Sequence, residues 1–320
     1  MRLRSIYPVA LLASLFTGCG PVDDEPVPQP EPTDSVSSPI SNGSPATPWM
    51  QQRAVSLGNC TGVIISRNHV LTAAHCKPSA GSTQVRFYNG STIPMSWSTG
   101  VTHVSFRSGV NPWLDDLTDS NGDFADIAVL TLASPIPSTS VPAKLGIYYP
   151  GEDGTGLQVG RGQHDDNANP NSVLLYAWNG LYSDNVDGGY FYTNDERTNP
   201  GDSGGPIFSQ GELQGVLWGD WWVAFAMRNK YTSTVYYLSW ILNMIGYTGN
   251  YSQTLPNTNL QGNVLGILFT QDIDICRLAC EQNSQCVAYS YTPSSMFSTC
   301  TMRDTLTGMV ISSGVTSGIR

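Results

Sequence analysis

Two distant segments constrain this 320-residue chain more than any other feature of its sequence. Residues 71–76 read LTAAHC, and residues 201–206 read GDSGGP. Between them, Asp126 precedes the apolar run 127–132. The chain therefore presents a histidine, an aspartate and a glycine-flanked serine in that order. These are the side chains from which a base-activated nucleophile can be assembled.

The segments resemble the two signatures of the trypsin/chymotrypsin-like serine proteases, and the order His, Asp, Ser is the one found in that family. The resemblance implies that Ser203 is the nucleophile, that His75 takes and returns its proton, and that Asp126 orients the imidazole. It also implies an oxyanion hole formed by the backbone amides of Gly201 and Ser203.

The aspartate is the assignment that depends most on context. Only the apolar run that follows it, which reads as a buried strand, favours Asp126 over four aspartates just upstream. Those four are Asp115, Asp116, Asp119 and Asp123. The other histidines, His69, His103 and His164, are expected to be structural.

Composition and patterning predict a mainly β fold. Charged residues make up 12% of the chain, which has 32 glycines and 21 prolines, as is typical of loop-rich extracellular β proteins. Short apolar or β-branched runs predict strands at 53–57, 61–66, 84–88, 127–132, 172–178, 206–208, 214–218 and 223–227. Residues 236–245 have helical spacing. For residues 40–248 the resemblance implies two antiparallel six-stranded β-barrels, closed by this helix.

The amino terminus predicts an exported protein. Residues 1–18 have a charged start and an apolar run too short to cross a bilayer, which indicates a signal peptide. Residues 15–19 (LFTGC) resemble a bacterial lipoprotein signal in which Cys19 becomes lipidated, although Phe16 stands where that signal usually has leucine. An ordinary secretory signal is the alternative. Residues 19–39 predict an extended tether or pro-segment. The expected location is the bacterial outer membrane or cell surface, or otherwise a secreted or periplasmic one.

The chain has seven cysteines, and bridges between them would agree with an oxidising compartment. In the protease family the cysteine beside the histidine is bridged to one on the preceding strand, which implies the pair Cys60–Cys76. Two free buried thiols are the alternative. A zinc site is disfavoured because no cysteine pair has the compact histidine spacing that a metal needs.

Residues 40–46 (ISNGSPA) resemble the mature amino terminus of the family, whose freed ammonium pairs with the aspartate before the serine. The resemblance implies processing before Ile40 and an ion pair between Ile40 and Asp202. The chain has no lysine or arginine between Arg4 and Arg53. An activator with trypsin's preference therefore cannot make this cut, so another protease acts or Asp202 is satisfied differently.

The specificity pocket implied by the resemblance comprises Arg197, Thr198, Leu217, Trp218 and Gly219. Arg197 stands where trypsin has its pocket aspartate, so cleavage after lysine or arginine is not expected. An Arg197 that points into the pocket would favour acidic side chains, whereas an exposed loop arginine would not. Leu217 replaces the usual serine and lacks a hydroxyl that would help to hold the catalytic aspartate.

After a linker at 249–256, residues 257–320 resemble a PAN/apple module, a small disulfide-rich α+β domain. The resemblance implies the bridges Cys276–Cys300 and Cys280–Cys286, and binding of a protein or carbohydrate. A domain of roughly sixty residues buries too little core to be stable unaided, so two bridges make physical sense. A purely structural cap is the alternative.

The remaining features concern partners and metals. A formal net charge of −10 argues against a nucleic-acid partner, because phosphates require clustered basic residues. Residues 119–123 (DSNGD) resemble a calcium loop but lack its distal glutamate. A solvated turn is preferred, and neither a metal nor a cofactor is expected.

The sequence therefore predicts an exported serine endopeptidase that hydrolyses peptide bonds through an acyl-enzyme. Its carboxy-terminal module would bind a protein or carbohydrate, and a lipid anchor would be its only membrane contact. The alternative is a binding or adhesion protein with a weakly active or inactive protease-like domain, as Leu217 and the altered pocket suggest.

Overall fold

The computed structural model describes residue 40 and residues 43–149, 151, 154–162, 173–182 and 188–320. The predicted signal peptide, Cys19, the tether at 19–39 and His164 lie outside the described residues. No helix in the described ranges is long and apolar enough to cross a membrane.

The first half of the chain closes into a barrel of antiparallel strands. A short strand, β1 (Ser44–Pro45), and a one-turn helix, α1 (Pro48–Gln51), precede it. Its strands are β2 (Ala54–Ser56), β3 (Thr61–Ser66), β4 (His69–Thr72), β5 (Gln84–Phe87), β6 (Ser98–Phe106) and β7 (Ala128–Leu132). They follow each other around the barrel in the order β2-β3-β4-β7-β6-β5. Inward-facing apolar residues such as Val85 and Phe87 alternate with exposed ones along β5, as the period of a strand requires.

The second barrel is built from strands later in the chain. After β8 (Lys144–Leu145), its strands are β9 (Thr155–Gly160), β10 (Leu175–Tyr182), β11 (Tyr190–Thr193), β12 (Pro206–Ser209), β13 (Glu212–Val223) and β14 (Ala226–Ser233). β9 pairs with both β10 and β12, which closes the ring β9-β10-β11-β14-β13-β12. The two six-stranded barrels are thus confirmed.

Two predictions for this region have different outcomes. The predicted helix is α2 (Leu238–Met244), and it buries Leu238, Ile241 and Leu242 on one face, as helical spacing dictates. The predicted strand at 223–227 is wrong, because the chain turns there between β13 and β14. The turn residues, Ala224 and Phe225, have φ of 49° and 69°. They carry none of the glycine or asparagine that would signal such a turn.

The carboxy-terminal domain is a five-stranded sheet with one helix. Its elements are β15 (Gln253–Gln261), β16 (Val264–Phe269), α3 (Ile273–Gln282), β17 (Ala288–Thr292), β18 (Thr299–Arg303) and β19 (Gly308–Ile319). The strand order is β15-β19-β17-β18-β16. The disulfide Cys276–Cys300 joins α3 to β18, and Cys280–Cys286 joins α3 to the loop before β17.

This domain packs on the second barrel through α3. Leu278 of α3 is 9% exposed and belongs to the same apolar core as Ile241 of α2. Two polar contacts flank this core: the Tyr247 hydroxyl donates to Glu281 at 2.6 Å, and the Gln282 amide donates to the carbonyl of Leu145 at 2.8 Å. The junction therefore combines shared apolar burial with side-chain hydrogen bonds.

We expect Leu278→Ala to lower the free energy of unfolding by about 2–3 kcal/mol, because it opens a cavity in a core that both domains share. Calorimetry or denaturant unfolding measures the change. The control is Ile311→Ala, since Ile311 is 91% exposed and its truncation should change stability by less than about 0.5 kcal/mol. Equal effects of the two substitutions would contradict the shared core.

Candidate active site

His75 lies in a single 3₁₀ turn, Ala74–Cys76, that follows β4. Lys77 ends the turn in the left-handed conformation, with φ of 50°. The disulfide Cys60–Cys76 ties the turn to the residue that precedes β3, which restricts its movement. The His75 side chain is 27% exposed, so its imidazole is fixed on one side and accessible on the other.

Asp126 lies directly beside this imidazole. Its side chain is fully buried. One carboxylate oxygen, Oδ2, is 2.7 Å from His75 Nδ1, and the other, Oδ1, accepts the backbone amide of His75 at 2.7 Å. The Asp126 carbonyl accepts the Thr232 hydroxyl of β14 at 2.9 Å. A carboxylate on Nδ1 leaves Nε2 as the ring nitrogen that can exchange a proton with a nucleophile.

Ser203 lies in a tight loop between β11 and β12. Gly201 and Gly204 adopt φ of 105° and 75°, values that favour glycine. The Ser203 carbonyl accepts the amide of Thr61 at 2.8 Å and lies 3.7 Å from the sulfur of Cys76. Because Cys76 follows His75, these contacts bring the half-buried serine to the histidine turn.

β13 anchors the other side of the serine loop. The Gly204 amide donates to the Leu217 carbonyl at 2.8 Å, and the Leu217 amide donates to the Gly205 carbonyl at 2.9 Å. The Leu217 side chain is 2% exposed. Both carboxylate oxygens of Asp126 accept from His75, so the aspartate is held by donors other than the hydroxyl that Leu217 lacks.

Asp202 is buried beneath the serine loop. Its Oδ1 accepts the amide of Gly162 at 2.5 Å, and its Oδ2 accepts the amide of Asn199 at 2.9 Å. Burial raises the pKa of Asp202 to about 7, although these two hydrogen bonds act in the opposite direction. In the continuous chain the nitrogen of Ile40 is a peptide amide, and it donates to the Arg197 carbonyl at 2.8 Å. The ion pair between Ile40 and Asp202 therefore remains a prediction for a processed chain.

Arg197 pairs with a neighbouring aspartate. Its guanidinium lies 3.2 Å from the carboxylate of Asp195, and its backbone amide donates to Asn229 Oδ1 at 2.8 Å. The selection of acidic side chains by Arg197 remains a prediction. Trp218 and Gly219 continue along β13 beyond Leu217.

The predicted pocket region contains acidic and amide groups that the sequence patterns did not indicate. Asp220 Oδ1 accepts the Thr198 hydroxyl at 3.0 Å and the side-chain amide of Asn229 at 2.6 Å. Burial raises the pKa of Asp220 to about 6, and nearby Glu196 adds to this effect. Asn229 is fully buried and also donates to Thr198 at 2.8 Å. Side-chain hydrogen bonds therefore connect β13 and β14 to the serine loop.

Three aromatic rings surround the ammonium of Lys230, a residue that no sequence pattern marked as functional. Its Nζ lies 3.4 Å from the ring centre of Phe124, 4.1 Å from that of Tyr190 and 5.4 Å from that of Trp218. Burial lowers the pKa of Lys230 to about 8, and the negative charge of Asp126 partly offsets this effect. The pairing of β13 with β14, which places Lys230 opposite Gly219, could not be read from the sequence.

The segment that resembles a calcium loop is a turn closed by its own hydrogen bonds. Asp119 Oδ1 accepts the amides of Asn121 and Asp123 at 2.8 and 3.2 Å, and Oδ2 pairs with Arg107 at 3.0 Å. Both carboxylate oxygens are thus occupied by protein donors. Within the described ranges, no cluster of three or more His, Cys, Asp or Glu side chains could hold a metal ion.

Comparison with known proteins identifies both parts of the chain. Residues 40–241 match the trypsin family model, and residues 258–303 match a PAN domain model. Kallikrein-10 of Homo sapiens is 28% identical over 242 residues, which cover 66% of this chain and 85% of that protein. Brachyurin of Leptuca pugilator is 30% identical over 234 residues, which cover 65% of this chain and 100% of that protein. Trypsin alpha of Drosophila melanogaster is 30% identical over 230 residues, which cover 64% of this chain and 86% of that protein.

A solved structure has the same fold. Mouse neuropsin, a serine protease, aligns with a TM-score of 0.52 and 23% sequence identity over 63% of this chain and 98% of its own. The family and the disulfides indicate an extracellular or secreted protein. The protease part acts on protein substrates, and a PAN domain is a binder of proteins or carbohydrates. With the family model matched over residues 40–241, the chain belongs to the trypsin family and is a serine endopeptidase.

Proposed function

We propose that the protein cleaves peptide bonds through an acyl-enzyme formed on Ser203. The serine hydroxyl attacks the scissile carbonyl, and His75 Nε2 takes its proton and then gives it to the leaving amine. Water, activated by the same imidazole, releases the acyl group. The observation that carries this proposal is the pair of 2.7 Å hydrogen bonds from His75 to the buried Asp126, because they fix the imidazole for both proton transfers.

The amides of Gly201 and Ser203 are proposed to bind the oxyanion that develops on the substrate carbonyl. Support comes from the left-handed Gly201, with φ of 105°, and from the anchoring of the loop on both sides. Thr61 donates its amide to the Ser203 carbonyl and its hydroxyl to the Gly201 carbonyl, at 2.8 and 2.9 Å. These hydrogen bonds hold the backbone of the serine loop against the first residue of β3.

We expect Ser203→Ala to abolish labelling by a fluorophosphonate probe, and Asp126→Asn to lower kcat by about 10⁴-fold, because the amide no longer holds the correct imidazole tautomer. Active-site labelling and peptide hydrolysis measure the two effects. The control is Asp116→Asn, since Asp116 is an exposed aspartate of the same loop and should keep full activity. A wild-type protein that does not label would instead favour the binding or adhesion function that Leu217 suggests.

Lys230 is proposed to hold the aspartate segment and the pocket wall together. Phe124 lies two residues before Asp126, and Trp218 follows Leu217 on β13, so one ammonium contacts elements on both sides of the catalytic groups. Thr232, two residues along the same strand, donates to Asp126. A partly desolvated cation–π contact contributes about 1 kcal/mol. It offsets only part of the cost of burying the ammonium, as the lowered pKa of Lys230 shows, and it persists only while the lysine is charged.

With the pKa of Lys230 at about 8, we expect wild-type kcat/KM to fall as the pH rises through about 8. Lys230→Arg should lack this fall because a guanidinium stays charged. Lys230→Met should show a lower activity that does not change with pH around pH 8.

The stability of the folded protein should change with pH in the direction opposite to kcat/KM. The unfolded chain, with a lysine pKa of 10.5, binds more protons than the folded protein in this window, so the contribution of Lys230 to the unfolding free energy rises with pH. An alkaline fall that Lys230→Arg retains would assign it to another group.

Export and anchoring are proposed from the amino terminus. Residues 1–18 would direct export, Cys19 would carry lipid, and residues 19–39 would tether the protease to the membrane. Cleavage before Ile40 would release the protease and create the ammonium for Asp202. Support comes from the burial of Ile40 against Leu175 and Ala177, and from the buried Asp202, which would gain from a cation.

Intact mass spectrometry and Edman sequencing test both steps. The membrane-bound form should begin at a diacylated Cys19, and the released active form should begin at Ile40. Cys19→Ser should abolish the lipidated form without changing fluorophosphonate labelling of the released one. A released active form that begins elsewhere would reject the processing step, and an unmodified Cys19 in the exported protein would reject the anchor.

A further inference from the structure

The hairpin between β13 and β14 ends in a group of exposed aromatic side chains. Trp221 is 53% exposed, Trp222 is 67% exposed and Phe225 is fully exposed. We call these three residues the aromatic tip. Single exposed apolar residues are common on protein surfaces, but several adjacent ones indicate a contact site.

The backbone of the turn makes this exposure less ordinary. Ala224 and Phe225 have φ of 49° and 69°, so both central residues of a two-residue turn are left-handed. Asn-Gly is strongly preferred in such turns, because side chains with a bulky Cβ are strained there. A phenylalanine that is both strained and fully exposed contributes no packing to the fold, and this points to a functional role for its ring.

The aromatic tip is continuous with the serine loop. β13 starts its contact with that loop at Leu217, whose backbone bonds Gly204 and Gly205. Four residues later, the ring of Trp221 contacts the ring of Trp218 at 5.6 Å between centroids. The strand thus leads from the nucleophile directly to the tip.

A second exposed apolar pair lies on the histidine side. Trp113 is 55% exposed and Leu114 is 77% exposed, in the 3₁₀ turn Pro112–Leu114. This turn contacts the turn that carries His75. An ion pair of 3.2 Å between Lys77 and Asp115 also joins the two segments. Exposed apolar side chains therefore lie on two separate loops, each of which contacts or continues an element that carries a candidate triad residue.

We propose that the aromatic tip and the pair Trp113 and Leu114 bind apolar side chains of the substrate, so that the enzyme selects extended peptide segments with apolar residues flanking the scissile bond. This inference rests on the proposed function and names the class of substrate for the same site. Rings and aliphatic side chains of the two loops would shield the apolar side chains of the peptide from water. An anionic lipid surface is a poorer occupant, because the chain carries a net charge of −10.

The test is a cleavage profile on a peptide library derived from a proteome, with the products sequenced by mass spectrometry. The wild-type protein should enrich apolar residues at positions flanking the cut. Trp222→Ser and Trp113→Ser should lower kcat/KM for such peptides by roughly tenfold or more, the effect expected for loss of one buried apolar side chain. The control is Phe269→Ser in the carboxy-terminal domain, because Phe269 has the same 67% exposure as Trp222, and its profile should not change.

A double variant separates substrate selection from folding. Ala224→Asn with Phe225→Gly supplies the residues that the turn prefers, so the melting temperature should stay the same or rise while the apolar preference falls. Fluorophosphonate labelling should be unchanged. A loss of selectivity in this variant cannot be ascribed to misfolding.

The outcomes distinguish this inference from the proposed function. No labelling of the wild-type protein would reject both. Normal labelling with the same flanking profile in wild type and variants would reject this inference alone. Two further results would also overturn this inference, if the cleavage profile does not depend on the aromatic tip. One is flotation with phosphatidylcholine vesicles that requires the aromatic tip, and the other is dimerisation in sedimentation that requires it.

Discussion

A carboxylate buried between the two barrels is the constraint on which the arrangement of the candidate triad depends. Asp126 receives two hydrogen bonds from His75, which the first barrel carries, and its carbonyl receives one from Thr232 of the second barrel. A buried carboxylate without such donors would be strongly destabilising. Both donors to the carboxylate lie in the first barrel, and docking of the second barrel adds the Thr232 hydrogen bond to the main-chain carbonyl. The same docking brings the serine loop to the histidine turn.

Side-chain hydrogen bonds stabilise the side of the second barrel where the pocket is predicted. Within the described residues no disulfide connects β13 to the serine loop, but Thr198 and Asn229 both donate to Asp220. Nearby, backbone amides satisfy Asp202, and aromatic rings surround Lys230. The region thus holds several buried polar groups whose partners come from the protein itself, as a low-dielectric interior requires. The small carboxy-terminal domain contributes apolar burial through Leu278, so it also supports the second barrel.

Local patterns explain which parts of the fold could be predicted. The run at 61–66 is strand β3 with the predicted bounds, and the run at 84–88 contains β5. Helical periodicity predicted a helix at 236–245, and α2 begins two residues later and ends one residue earlier than that. Apolar periodicity did not predict the turn at Ala224 and Phe225, because these residue types ordinarily avoid the left-handed backbone conformation. Asp220, Asn229 and Lys230 were missed because their partners lie on other strands, and strand pairing brings them together.

The sequence by itself determined the family, the order of the candidate triad residues and the mainly β class. These follow from short motifs and from apolar periodicity, which are local properties of the chain. Only the tertiary structure decided what surrounds those residues: the pairing of Arg197 with Asp195, the hydrogen bonds of Asp220 and the rings around Lys230. The physical reason is that burial and electrostatic environment depend on contacts between residues far apart in sequence, and folding alone creates those contacts.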